Sequence, residues 1–187
     1  MDKTAKQFTD IIIRYTILIF SAFPNLFLFY FIFTPLTIYP IYFLLSLFFE
    51  SSLMGNIILV NKIPVEIISA CISGSAYYLL FILNLSIPNI KIKKRIKMIF
   101  LAFASLLILN ILRIFFLRLM VINDSVWFGI THMFFWYVLS TVFVLGIWFL
   151  EVKLFNIKQT PFYSDLKFVY KNSSLKKSKH SKSSNKN

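Results

Sequence analysis

The chain has 187 residues, of which 58% are hydrophobic and only 14% are charged. This composition excludes an ordinary soluble domain and indicates a polytopic membrane protein, because several apolar stretches reach the roughly 20 residues that a helix needs to cross a bilayer core. The net charge of +13 comes largely from two basic clusters beside apolar segments, within Lys91–Lys97 and Lys171–Asn187. That placement favours positive-inside topology over RNA or DNA binding, so we expect no nucleic-acid partner.

The N-terminal segments predict a helix that a proline interrupts. Ile11–Phe33 is a nearly unbroken apolar run that Pro24-Asn25 is expected to kink. Thr34–Pro40 contains two prolines and predicts a turn or a helix start, and Ile41–Phe49 continues as apolar helix. The N-terminal topology stays open, because the basic residues near the N-terminus favour the inside, whereas five spans with a cytoplasmic C-terminus would place it outside.

The next segment, Leu53–Ala70, predicts β-structure. Two short β-prone runs, Asn56–Val60 and Val65–Ile68, flank Asn61-Lys62, which is a plausible tight turn. We therefore expect a small β-hairpin at the outer membrane surface, with a bent helix as the alternative.

Three further apolar helices are predicted at Cys71–Ile87, Met98–Met120 and Trp127–Leu150. The fold class is thus an all-α polytopic membrane protein, with a bundle of about five to six transmembrane helices over residues 1–155. Residues 156–187 are predicted to form a basic, disordered cytoplasmic tail.

Three residues are unusual for their surroundings. Cys71 is the only cysteine, Arg113 lies inside a long apolar run, and His132 is the only histidine outside the tail. A thiol, an imidazole and a fixed cation are the parts of a cysteine acyl-transfer site. A lone cysteine excludes an intrachain disulfide and a multi-cysteine metal site, and we expect no metal or cofactor.

Each of these residues also has a plainer interpretation. A lone cysteine is commonly a small buried apolar residue. Arg113 could instead bind a lipid phosphate or extend to the outer interface, which is the simpler explanation for Arg118. His132 could simply form a hydrogen bond with a neighbouring residue.

Helix geometry predicts one depth for the three residues. With the basic loop at Lys91–Lys97 inside, Cys71 lies at the outer boundary. Arg113 lies about 22 Å along the helix that begins at Met98, and His132 lies about 7 Å below the start of the last helix. All three are therefore expected in one pocket of the outer leaflet.

Three more residues are predicted to support this site. Asn110 precedes Arg113 by one helical turn, so both share a helix face that could donate hydrogen bonds to an oxyanion or a peptide backbone. Ser73 and Gly74 are small residues at a predicted helix start beside Cys71, where helix N-terminal amides and a nearby cation favour a thiolate.

At these residues the chain resembles the exosortase/archaeosortase family of membrane transpeptidases. The matching segments are Val65–Gly74, Asn110–Ile114 and His132, against a family pattern of a cysteine in an A-C-S-G-like context, an N-x-x-R-I motif and a later histidine. Ile72 stands between the cysteine and Ser-Gly, which departs from that pattern. The resemblance covers roughly residues 35–150.

The resemblance implies a multi-pass enzyme of the cytoplasmic membrane with its active site on the extracytoplasmic side. It implies exported substrates with a C-terminal sorting signal, made of a short motif, a transmembrane helix and a basic cluster, and transfer to another anchor, often a membrane lipid. Cys71 would then be the nucleophile, His132 the proton carrier and Arg113 the oxyanion-stabilising cation. The alternatives are a non-enzymatic membrane scaffold or transporter subunit, and a membrane protease that only hydrolyses.

Overall fold

The computed structural model describes residues 3–122, 127–135, 138, 140–157 and 161–172. Within them the chain is mostly helical, as predicted, and it contains one small antiparallel sheet. The helices are α1 (Lys3–Ala22), α2 (Phe27–Ser46), α3 (Ser69–Ile72), α4 (Gly74–Leu85), α5 (Ile92–Ile122), α6 (Phe128–Phe134), α7 (Ser140–Leu154) and α8 (Tyr163–Asn172). The strands are β1 (Ser51–Met54), β2 (Ile57–Val60) and β3 (Ile63–Glu66).

The first two helices separate at Pro24, where the sequence predicts an interruption. The predicted turn or helix start at Thr34–Pro40 is wrong, because α2 runs without a break through Pro35 and Pro40. A proline costs an interior helix one hydrogen bond, but α2 also buries an apolar face in the core, and such packing lets long apolar helices tolerate proline.

The sheet confirms the predicted hairpin and adds a strand to it. β2 and β3 pair antiparallel around a two-residue turn at Asn61 and Lys62, both in the left-handed region with φ of 49° and 67°. This is the backbone conformation that a tight hairpin turn requires. The third strand, β1, was not predicted, because Ser51 and Ser52 resemble the polar end of the preceding helix.

The predicted single helix Cys71–Ile87 is two helices in the structure. α3 ends at Ile72, Ser73 adopts a left-handed conformation with φ of 60°, and α4 begins at Gly74. A left-handed serine is uncommon, and residues held in such conformations concentrate at functional sites. The interruption lies directly after Cys71.

An aromatic cluster holds α2, α4 and α5 together. The rings of Phe33 and Tyr77 stack with centroids 3.6 Å apart, and Phe103 meets both rings edge-on. Gly74 permits the close approach of α2, since a Cβ added there would lie 2.7 Å from Cζ of Tyr30. The core therefore fixes α4 next to the helix that bears Arg113.

Helix α8 lies within the segment predicted to be a tail. Its Asp165 accepts hydrogen bonds from Nη1 and Nη2 of Arg14 on α1, at 2.9 and 3.0 Å. Both side chains are buried, and they join α8 to α1 through a bidentate ion pair. The lysine-rich part of the tail, residues 173–187, lies outside the described residues.

In the part of the chain that the structure describes, two helices are long and apolar enough to cross a membrane, Phe27–Ser46 and Ile92–Val121. The last predicted span, Trp127–Leu150, corresponds to α6 and α7, with residues 136, 137 and 139 outside the described residues. Asp124, which the sequence places in the link before it, also lies outside them.

Candidate functional site

A cavity of about 290 Å³ lies between the sheet and helices α3, α5 and α6. Cys71, Arg113 and His132, which come from three separate segments, all line it. The remaining lining residues are Pro64, Val65, Glu66, Ile67, Ile68, Ala70, Ile114, Leu117, Arg118, Val121 and Phe135. The cavity is therefore apolar over most of its wall, with two arginines, one thiol, one imidazole and one carboxylate.

Cys71 lies on the short helix α3, and its thiol is half-buried and not in a disulfide. The backbone N–H of Cys71 donates to the carbonyl oxygen of Ile68 at 2.8 Å. Because the helix is interrupted at Ser73, the carbonyl groups of Cys71 and Ile72 need partners from outside α3.

Asn110 and Arg113 of α5 supply those partners. Nδ2 of Asn110 donates to the carbonyl oxygen of Cys71 at 2.7 Å, and Nη2 of Arg113 donates to the same oxygen at 3.4 Å. Their spacing of one helical turn places both donors on one face of α5, as the sequence predicts. The N-x-x-R segment thus holds the main chain of Cys71 at the cavity wall.

Arg113 is buried, with only 7% of the residue exposed. Its Nη1 donates to Oγ of Ser140 at 2.9 Å, and that hydroxyl donates to the carbonyl oxygen of Phe135 at 3.0 Å. Among the described residues, no acidic group lies within salt-bridge distance of Arg113. A buried cation without a counter-ion is costly, and it strongly favours an anion that enters beside it.

The supporting residues Ser73 and Gly74 differ in what they contact. Oγ of Ser73 donates to Oδ1 of Asn110 at 3.4 Å and accepts from Nη2 of Arg113 at 3.5 Å. Gly74 is buried against Tyr30 and does not line the cavity. Ser73 therefore belongs to the polar network behind Cys71, whereas Gly74 serves helix packing.

His132 lies on α6, is exposed and lines the cavity. Glu66 of β3 is an acidic residue of the same wall, and its side chain is also exposed. In the part of the chain that the structure describes, no group of three histidine, cysteine or acidic side chains could hold a metal ion.

Two residues of the site were not found by sequence reasoning. Arg118 lines the cavity, and its Nη2 donates to the carbonyl oxygens of Val60 and Ile63 at 3.2 and 3.1 Å. It therefore ties the β2–β3 turn to α5 instead of extending to the outer interface. Ser140, which binds Arg113, lies 27 positions further along the chain, and no sequence pattern marks it.

The comparisons with known proteins leave the family open. No protein-family model, no curated protein and no solved structure matches this chain.

Proposed function

We propose that the chain is a multi-pass membrane transpeptidase of the exosortase/archaeosortase type, with Cys71 as its nucleophile. One observation supports this most strongly: Cys71, Arg113 and His132 come from three helices and line one cavity. Many large apolar side chains on the outer surface, among them Phe20, Phe100 and Phe149, are exposed, as expected of a protein surrounded by lipid.

The proposed reaction is an acyl transfer through a thioester. The thiolate of Cys71 attacks a peptide carbonyl carbon, and the oxygen becomes an oxyanion near the guanidinium of Arg113. His132 holds the proton of the thiol and gives it to the leaving amine when the C–N bond breaks. An amine or hydroxyl group of a membrane lipid, or water, then attacks the thioester and gives its proton to His132, and the C–S bond breaks to release the thiolate.

The proposed substrates are exported proteins whose C-terminus has a short motif, a transmembrane helix and a basic cluster. The predicted basic loop Lys91–Lys97 is, from Ile92 onward, the start of α5. The site would lie on the extracytoplasmic side of the cytoplasmic membrane, since these basic residues at the N-terminal end of α5 favour the inside. Water as the acceptor would make the protein a hydrolase only, and the mass of the new C-terminus of the product separates the two cases.

Replacement of Cys71 tests the proposal. Cys71→Ala is expected to abolish processing of a co-expressed exported protein with such a C-terminus, while the variant accumulates in the membrane at the level of the wild type. Processing that continues unchanged in Cys71→Ala would contradict the proposal.

A second candidate function, a membrane scaffold or transporter subunit, has its own support. Arg113 binds Ser140 and the main chain of Cys71, which are contacts that also hold helices together. A scaffold requires that Cys71→Ala behaves as the wild type and that Arg113→Ala loses assembly.

A further inference from the structure

Strand β3 has a free edge at the cavity. Among the residues that the structure describes, the sheet order β1-β2-β3 leaves β3 paired on one side only. Residues 64–66 of β3 line the same cavity as Cys71, and so do Ile67 and Ile68, which directly follow the strand. The unpaired edge of a strand and the candidate nucleophile are therefore neighbours.

The register shows which backbone groups this edge offers. The N–H of Ile67 donates to the carbonyl oxygen of Asn56 at 2.9 Å. Because bonded and non-bonded pairs alternate along an antiparallel ladder, the backbone groups of Val65 also face β2, and those of Glu66 and Pro64 face away from it. The outer edge thus offers the N–H and C=O of Glu66 and the C=O of Pro64.

Two residues, Pro64 and Arg118, are compatible with an unpaired outer edge on β3 and fix its position. Proline has no N–H and is tolerated in sheets where it need not donate to the ladder, which is the position of Pro64. Arg118 fixes the turn before β3 to α5 through the carbonyl groups of Val60 and Ile63. The edge therefore has a fixed position relative to Arg113, which lies on the same helix.

We propose that the substrate binds as an added strand: an extended peptide pairs with the outer edge of β3 and thereby brings its scissile carbonyl group to Cys71. This inference rests on the proposed function. One N–H and two C=O groups in a row are complementary to an extended peptide that accepts one hydrogen bond and donates two. The apolar cavity wall then receives the side chains that alternate along that peptide.

Two charged residues that line the cavity, Glu66 on β3 and Arg113 on α5, restrict the sequence of the peptide further. Glu66 has no basic group within salt-bridge distance among the described residues, and Arg113 has no acidic one. A peptide with a basic side chain opposite Glu66 and its scissile carbonyl group near Arg113 complements both charges. An acidic side chain opposite Glu66 would be repelled.

Two thiol reagents test the proposal on the full chain in membranes. Iodoacetamide reports the reactivity of Cys71 alone. A lysine-containing tetrapeptide chloromethyl ketone reports peptide binding as well, since the sulfur displaces chloride only after the peptide is in place. Glu66→Pro removes the N–H of the edge and leaves the bonds between β2 and β3 intact, and Glu66→Gln is the matched control that keeps the N–H.

We expect Glu66→Pro to slow labelling by the peptide reagent by about tenfold, the effect of one lost hydrogen bond, and to leave the iodoacetamide rate within about twofold. N-methylation of the peptide backbone should slow labelling of the wild type to a similar degree, which requires no variant to fold. Glu66→Gln should retain most of the peptide rate and lose the preference for lysine over glutamate in the peptide.

If neither Glu66→Pro nor N-methylation slows labelling of Cys71 by the peptide reagent, while iodoacetamide still labels Cys71, strand addition is wrong and the proposed function stands. If Cys71 of the wild type reacts with neither reagent, the proposed function fails, and strand addition fails with it.

Discussion

Arg14 and Arg113 are both buried arginines on helices, but Arg14 binds carboxylates whereas Arg113 binds neutral oxygen atoms. The guanidinium of Arg14 forms hydrogen bonds with the carboxylates of Asp165 and Asp10 at 2.9–3.0 Å. Within the described part of the chain, the guanidinium of Arg113 donates to hydroxyl and carbonyl oxygens only, such as Oγ of Ser140. One arginine is neutralised by the fold, and the other keeps its charge at the wall of a cavity.

This difference separates a structural arginine from a candidate functional one. A buried ion pair holds two segments together and leaves little attraction for a ligand. A buried cation with neutral partners lowers the free energy of any anion that forms beside it, which is what an oxyanion site requires. Two predictions test this contrast and a third tests the packing beside the site, from the largest expected effect to the smallest.

The ion pair of Arg14 should dominate stability. Arg14→Met leaves Asp165 buried and charged without a cationic partner, which costs about 3–5 kcal/mol of the free energy of unfolding. Denaturant unfolding in detergent measures the loss. The double variant Arg14→Met/Asp165→Leu should recover most of it, and Asp10→Ala, at an exposed partner, should change it by about 1 kcal/mol or less. An additive double variant would show that the two side chains are not coupled.

Arg113 should govern the rate more than stability. Arg113→Lys keeps a positive charge but loses the planar fork, and we expect substrate processing to slow by about 10²–10³-fold with the variant still folded. The measurement is the initial rate of processing, divided by the amount of enzyme in the membrane. A rate within a few-fold of the wild type would make Arg113 a structural residue like Arg14.

Gly74 should affect packing alone. Gly74→Ala forces a Cβ against the ring of Tyr30 and should cost about 1–3 kcal/mol of the free energy of unfolding. The double variant Gly74→Ala/Tyr30→Leu removes the clash and should regain part of that loss. If Gly74→Ala instead slowed processing with no loss of stability, Gly74 would act in the site and not in packing.

The sequence predicted the parts of the site that lie on regular elements. The polar turn at Asn61-Lys62 revealed the hairpin, and the spacing of Asn110 and Arg113 revealed a shared helix face, because both signals are local. The hydrogen bond between Arg113 and Ser140 and the ion pair between Arg14 and Asp165 could not be predicted, since they join residues far apart in the chain.

The interruption at Ser73 was missed for a different reason. Nothing in the local sequence requires a left-handed serine there, and helix propensity alone extends the helix through it. Tertiary contacts compensate for the interruption, because Asn110 and Arg113 bind the carbonyl oxygen that it leaves without a helical partner. A conformation that depends on distant donors cannot be read from neighbouring residues.

The central claim is that Cys71 forms a covalent bond with the substrate. The direct measurement is the intact mass of the enzyme after an acid quench during processing of a co-expressed substrate. The account predicts an adduct equal to the N-terminal product, located on Cys71 by peptide mapping, released by neutral hydroxylamine and absent from Cys71→Ala. Processing without an adduct on Cys71, or an adduct on another residue, would contradict it.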